Sequence, residues 1–175
     1  MPLPFAHGLV GASVVAALHP RPSRRHFAPL VVGALLANCA DLDFALVALT
    51  HDRSYHRGFT HSLAFALALC VASLALFGRA RAREALAYGL AYATHALLDY
   101  STMKFGGGVE LFWPFSAERF GLGLVGLSEI PSRLPPAYVL KAVLLELLIF
   151  APLPAAVLLA RRYFRARRRP PLGAE

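Results

Sequence analysis

Apolar residues run in long blocks along this chain, separated by short polar connections. The blocks are Pro4–Leu18, Phe27–Thr50, Phe59–Phe77, Glu84–Met103 and Ala137–Ala160, and the later four approach or exceed the ~20 residues that span a hydrocarbon core. This pattern predicts an all-α, polytopic membrane helix bundle of about five membrane helices. The first block is shorter. Its opening, Met1 to His7, has no basic segment and no small-residue cleavage motif follows, so it reads as a retained helix rather than a signal peptide. Between 104 and 136 the pattern changes. Gly106-Gly107-Gly108, Trp113-Pro114-Phe115, Gly121-Leu122-Gly123 and Pro135-Pro136 interrupt any long helix and predict an irregular outer loop, whose aromatics suit the membrane interface.

Composition agrees with the pattern. Hydrophobic residues make up 57% and charged residues 16% of the 175 positions, against about 25% charged in soluble domains, and the mean hydropathy is +0.54. A net charge of +8 raises the question of nucleic acid. The arginines, however, lie in blocks between apolar runs rather than over one face. Arg21, Arg24 and Arg25 follow the first run, Arg79, Arg81 and Arg83 the third, and Arg161, Arg162, Arg165, Arg167, Arg168 and Arg169 the fifth. The connections after the second and fourth runs hold only scattered basic residues offset by acidic ones. Under the positive-inside rule the basic blocks face the cytoplasm, so five crossings put the N-terminus outside and the C-terminus in the cytoplasm. The Arg-rich, lysine-poor composition suits a bacterial cytoplasmic membrane. Residues 1–160 then form one membrane-embedded domain, and 161–175 a basic cytoplasmic tail that meets anionic lipid; no nucleic-acid partner is expected. Cys39 and Cys70 show no disulfide or Cys-x-x-Cys spacing and read as packing residues.

The polar residues inside the apolar runs are nearly all of metal-ligand type. Asp41 and Asp43 interrupt the second run, His56 and His61 bracket the head of the third, and His95 and Asp99 fall late in the fourth. With His7 and Glu146, all of them gather in the outer half of the predicted topology. Buried ionisable groups need compensation, and one divalent cation supplies it more simply than many separate pairs. His95 and Asp99, four residues apart, share a helix face, whereas Asp41 and Asp43 point about 200° apart and share an ion only where the helix ends or unwinds. Otherwise one of the two orients a histidine from behind. Gly58 allows a turn between His56 and His61, Thr60 is placed to cap the helix that starts at His61, and Arg57 is placed to face an anionic substrate. Glu146 is read as a metal ligand or as a partner of Lys141 or another helix. His19, His26 and His51 are expected to be ordinary loop residues.

Asp41-Leu42-Asp43, His56-Arg57-Gly58-Phe59-Thr60-His61-Ser62, His95-Ala96-Leu97-Leu98-Asp99 and Trp113-Pro114-Phe115 together resemble the YdjM-like family of bacterial inner-membrane proteins, described as LexA-regulated, membrane-bound metal-dependent hydrolases. The resemblance covers roughly His7 to Phe115 and is most specific in the His-Arg-Gly-x-Thr-His-Ser block. Ala40 stands where the family often has a proline, which argues against a helix break there. A remoter similarity is to zinc-dependent phospholipase C, whose His-x-x-x-Asp pair His95 and Asp99 would reproduce. The resemblance implies one or two divalent ions, zinc first with manganese or iron as alternatives, held among His7, Asp41, Asp43, His56, His61, His95 and Asp99. It implies hydrolysis of an ester or phosphoester, phospholipid-like in character, at the outer membrane face, with Asp43 or Asp41 orienting water and Arg57 taking an anionic oxygen. Two non-enzymatic readings stand beside it: a structural metal that ties helices together, and an ion- or proton-translocating site. Transport would require the polar series to continue toward the cytoplasm, and the sequence shows no such series.

Overall fold

A computed structural model describes residues 2–19, 27–102, 107–124 and 135–167. Helix α1 (Pro4–Leu18) opens on a proline, tolerated in a first turn that has no intrahelical acceptors to serve. Helix α2 (Ala28–Leu36) leads into a 3-10 turn at Cys39–Asp43 and then α3 (Phe44–Thr50), which closes on His51 in the left-handed region at φ 56°. The polar stretch after it makes two short 3-10 turns, Arg53–Tyr55 and Phe59–His61. Helix α4 (Leu63–Phe77) starts at Ser62, whose hydroxyl accepts from Phe65 N at 3.0 Å. A further 3-10 turn, Arg79–Arg81, precedes α5 (Ala82–Thr102), and α6 (Pro136–Phe150) is followed directly by α7 (Pro152–Arg167). No strand occurs among the described residues; Val109 and Phe120 form an isolated antiparallel bridge.

Among the described residues two helical stretches are long and apolar enough to cross a membrane, Ala28–Thr50 and Pro136–Arg167. A third is added if Arg53–His61 and Leu63–Phe77, bent by 51°, count as one span. The first and fourth apolar runs differ from these for physical reasons. At 15 residues, α1 is about 22 Å long, short of the ~30 Å hydrocarbon core. Helix α5 is the hub: Ala85, Ala87, Tyr88, Ala91, Tyr92, His95 and Asp99 are buried by α1, α2 and α4, so it carries polar residues that a lipid-facing helix does not tolerate.

Close backbone approach sets the crossings. A Cβ on Gly11 would fall 2.4 Å from Ala37 Cβ, and one on Gly33 2.4 Å from Val15 Cγ2, so α1 and α2 meet through glycines. Gly89 of α5 likewise faces Cys70 of α4, which is a packing residue as its sequence context predicts. The turns at 51–62 and the segment 107–124 lie at one end of the bundle, tied by Leu63 N to Leu111 O and Glu110 N to Arg57 O. At the other end His19 is buried beside Glu84, 3.7 Å apart, with Arg81 and Tyr88 also on that carboxylate. His19 is therefore not an ordinary loop residue. Between the two ends lies an apolar layer of Val15, Ala87 and Ala91.

Candidate metal centre

Four helical segments deliver their polar residues to one point: α1 brings His7, the 3-10 turn brings Asp41 and Asp43, the turn before α4 brings His61, and α5 brings His95 and Asp99. The 3-10 winding at Cys39–Asp43 is the decisive local feature. It changes the angle between successive side chains, so both aspartates turn toward the cluster although two residues apart. The helix unwinds there with alanine at position 40, so a proline is not needed for the break.

Each ring nitrogen can be assigned from its partner. His95 Nδ1 lies 2.6 Å from Ala37 O, which can only accept, so the proton sits on Nδ1 and the lone pair on Nε2. That Nε2 faces Asp41 Oδ1 at 3.4 Å and Asp99 Oδ2 at 3.9 Å. His61 Nδ1 lies 3.0 Å from Thr60 Oγ1 and 3.3 Å from Asp43 Oδ2, and Thr60 gives its own proton to Asp43 at 3.1 Å. This again leaves His61 Nε2 unprotonated, 3.6 Å from Asp41 Oδ1. His7 stacks on His95, with ring centroids 3.8 Å apart, and its Nε2 is 3.5 Å from Asp99 Oδ1.

His61 Nε2 and His95 Nε2 thus face Asp41 Oδ1 as acceptors facing an acceptor. Both nitrogens of His7, Nε2 of His61 and of His95, Oδ1 of Asp41 and both oxygens of Asp99 are buried with no hydrogen-bond partner among the described residues. Buried polar atoms normally find partners, and these converge. Donor atoms about 2.1 Å from a tetrahedral ion stand about 3.4 Å from one another, the scale of the separations seen here. Charge points the same way. Three buried or half-buried carboxylates, Asp41, Asp43 and Asp99, face a single guanidinium, Arg57, whose Nε is 3.6 Å from Asp99 Oδ2. Neutral imidazoles leave two negative charges, which one divalent cation balances. The inner donors form two overlapping sets, His7, His95 and Asp99, and Asp41, His61 and His95, and each set of two imidazoles and one carboxylate fits such an ion.

Asp43 stands behind this set. Oδ1 holds His56 Nδ1 at 3.0 Å, and Oδ2 accepts from Arg57 N at 2.9 Å and from Thr60. Arg57 adopts the left-handed conformation, φ 62°, to make that backbone contact, a strained geometry fixed by its surroundings. Thr60 does not cap α4, a role that Ser62 fills; it relays between Asp43 and His61. Asp41, Asp43 and His56 also form a ligand-type group of their own, sharing Asp41 with the inner one.

Several positions carry roles that their residue types did not announce. Arg119 donates to Glu110, to Ser54 O at 2.6 Å and to His56 O at 3.2 Å, which staples the 107–124 segment to the His56 loop. Tyr92 OH donates to Thr60 O at 2.7 Å. Asp52 opens the same loop by accepting from Ser54 N at 2.8 Å, a bond that holds its carboxyl below the ordinary range. Glu146 lies outside the cluster: its carboxylate accepts from Leu3 N and Ala6 N at the start of α1, and neither Lys141 nor a metal group claims it. His51 is exposed, and His26 lies outside the described residues. A cavity of about 320 Å³ opens beside the cluster, lined by Leu36, Leu42, Leu46, Phe65 and Leu69 and ending on Asp43, Thr60 and Tyr92.

The model of the YdjM inner membrane protein family matches residues 1–166. The chain belongs to that family. It is similar to the inner membrane protein YbcI of Escherichia coli (strain K12), with 30% identity over 179 residues, covering 95% of this chain and 100% of the relative. No solved structure matches. The match extends over α6 and most of α7, well past the block of motifs that ends at Phe115, so the membership covers the whole helical bundle. This YdjM-family chain is accordingly an inner membrane protein, and the exposed apolar residues of its flanks, such as Leu35, Leu67 and Leu148, have a hydrocarbon environment to face.

Proposed function

We propose that the chain is a membrane-bound, metal-dependent hydrolase acting on an ester or phosphoester of an amphiphilic anion at the outer face of the cytoplasmic membrane. The observation that carries this reading is the convergence of buried, unpartnered imidazole nitrogens and carboxylate oxygens of His7, Asp41, His61, His95 and Asp99. His95 with His7 and Asp99, or with Asp41 and His61, would hold the ion. A second ion, if taken up, would share Asp41 and add Asp43 and His56. An ion so held would supply Lewis-acid chemistry, lowering the pKa of a water toward neutrality and polarising a scissile ester or phosphoryl group.

The chain's own residues supply the rest. Asp43 and Thr60 keep the proton of His61 on Nδ1, and Ala37 O does the same for His95, so both Nε2 atoms stay directed inward. Arg57, beside Asp99 at the head of the site, offers a planar fork to an anionic substrate oxygen. Asp41 and His56 remain partly open, with side chains 18% and 17% exposed. Access of this kind favours a reactive site over a structural one, in which protein ligands close the coordination shell. The apolar cavity would seat a hydrocarbon chain: the polar residues in its lining, Asp43, Thr60 and Tyr92, are already hydrogen-bonded, and the rest of the lining is apolar. Transport is the weaker reading. A buried polar group does exist at the far end, at His19 and Glu84, but the layer of Val15, Ala87 and Ala91 separates it from the cluster. The orientation proposed puts the site outside and the Arg161 end inside, with α5 and the short α1 packed within the bundle rather than spanning on their own account.

The test is turnover of a chromogenic phosphodiester and of a short-chain ester by detergent-purified protein. Chelator-sensitive hydrolysis that is lost in His61→Ala is expected. Turnover undiminished in metal-free protein would end the proposal.

A further inference from the structure

His7 differs from the other two imidazoles of the cluster in what holds it. His61 is oriented through Nδ1 by Thr60 and Asp43, and His95 by Ala37 O, whereas neither nitrogen of His7 has a hydrogen-bond partner among the described residues. Apart from the stacking of its ring on His95, its position comes from its backbone. That backbone is vulnerable, because His7 sits in the first turns of a 15-residue helix, where N–H groups lack intrahelical acceptors, and α1 has no side-chain cap of its own at its N-terminus and no basic residue in its last turn.

Both deficits are met by the same neighbour. Glu146 of α6 accepts from Leu3 N at 2.5 Å and from Ala6 N at 3.3 Å, at the end of α1 where the helix dipole is positive. Arg161 of α7 donates through Nη1 to Ala16 O at 2.5 Å and His19 O at 2.8 Å, where it is negative. An acid serves the N-terminus and a base the C-terminus, and their separation along α6–α7 matches the length of α1. Both sites are far away in sequence, so neither is a local capping motif.

We infer that α6–α7 is a splint that fixes the axial position of α1, and through it of His7, with Glu146 and Arg161 as positioning residues. This rests on the metal-site reading above and gives the last two helices, which bring no residue to the cluster, a defined part in it. It also accounts for a buried glutamate, 4% exposed, that lies outside every ligand-type group found.

The experiment is cobalt and zinc affinity of the full-length protein in detergent, read by competition with a chromophoric chelator and by the cobalt visible spectrum. Glu146→Leu should weaken binding about 10- to 100-fold, as loss of an outer partner of a ligand does. Glu146→Gln, which keeps one acceptor oxygen, should lose less, and Arg161→Gln should weaken binding in the same direction. The discriminating comparison is with His7→Ala: once His7 is gone, Glu146→Leu should cause no further loss. Unchanged affinity in Glu146→Leu overturns the inference, and so does an equal loss in the two backgrounds, since that would mark general destabilisation. If Glu146→Leu does not fold, Glu146→Gln with and without His7→Ala makes the same comparison. Wild-type protein that takes up no ion would sink the metal-site reading itself, and the splint would fall with it; that result is told apart by needing no variant.

Discussion

Asp41 Oδ1 and His95 Nε2 meet as two acceptors 3.4 Å apart, because the other nitrogen of the ring already donates to Ala37 O. With Nδ1 donating to Ala37 O, a neutral His95 has no proton on Nε2 to give Asp41, and under the proposed function a cation would relieve that contact. Exchanging the carboxylate for an amide makes this testable with opposite signs. Asp41→Asn gives Nε2 a donor, so the metal-free protein should gain thermal stability, on the order of 1 kcal/mol, while metal binding is lost. Melting in detergent with and without added zinc checks both halves.

Asp43→Asn should behave differently, because Asp43 touches His61, His56 and Arg57 N rather than the centre of the cluster. We expect metal still to bind, about 10- to 100-fold more weakly, as for a partner that orients a ligand. Thr60→Val should fall in the same class, with Thr60→Ser near wild type since the hydroxyl relay survives. Chelator competition on the purified variants decides between this and loss of the site.

The run of apolar blocks was enough to read an all-helical membrane protein, and ligand-type residues inside those blocks were enough to single out His7, Asp41, Asp43, His56, His61, His95 and Asp99. What escaped the sequence is mostly backbone. Ala37 O orients His95, yet a carbonyl has no residue type to notice. The different placements of Asp41 and Asp43 depend on the 3-10 turn at Cys39–Asp43, which Ala40 does not advertise. Thr60 and Ser62 are both good capping residues, and only the turn Phe59–His61 decides which one caps. Glu146 has the chemistry of a ligand but meets the start of α1, a contact across the whole length of the chain. Apolar blocks marked by eye likewise place α5 beside the lipid-facing helices, although its polar residues, buried by α1, α2 and α4, set it apart.

Gly11 and Gly33 let α1 and α2 touch, and that contact sets Gly11, one turn after His7, against Ala37, whose carbonyl orients His95. Gly11→Leu should force the two apart, costing about 1–3 kcal/mol of stability as overpacking does, with metal affinity falling in parallel. Gly107→Ala at the outer loop, where a Cβ would meet nothing within 4 Å, should leave metal affinity unchanged despite its strained φ of 88°. Thermal melts and metal titrations on the two variants separate helix approach from a general effect of replacing glycine.

The apolar cavity predicts selectivity. Leu46→Trp, which fills it from α3, should lower turnover of long-chain esters several-fold, leave short-chain turnover and metal content near wild type, and raise the ratio of short- to long-chain rates. Equal loss on both substrates would mean that the cavity does not seat the chain.

The central claim is a bound metal, and elemental analysis of detergent-purified protein after zinc reconstitution tests it most directly. Wild type should carry near-stoichiometric metal and the His61→Ala/Asp99→Ala double variant next to none. Equal, negligible metal in the two proteins would contradict the account.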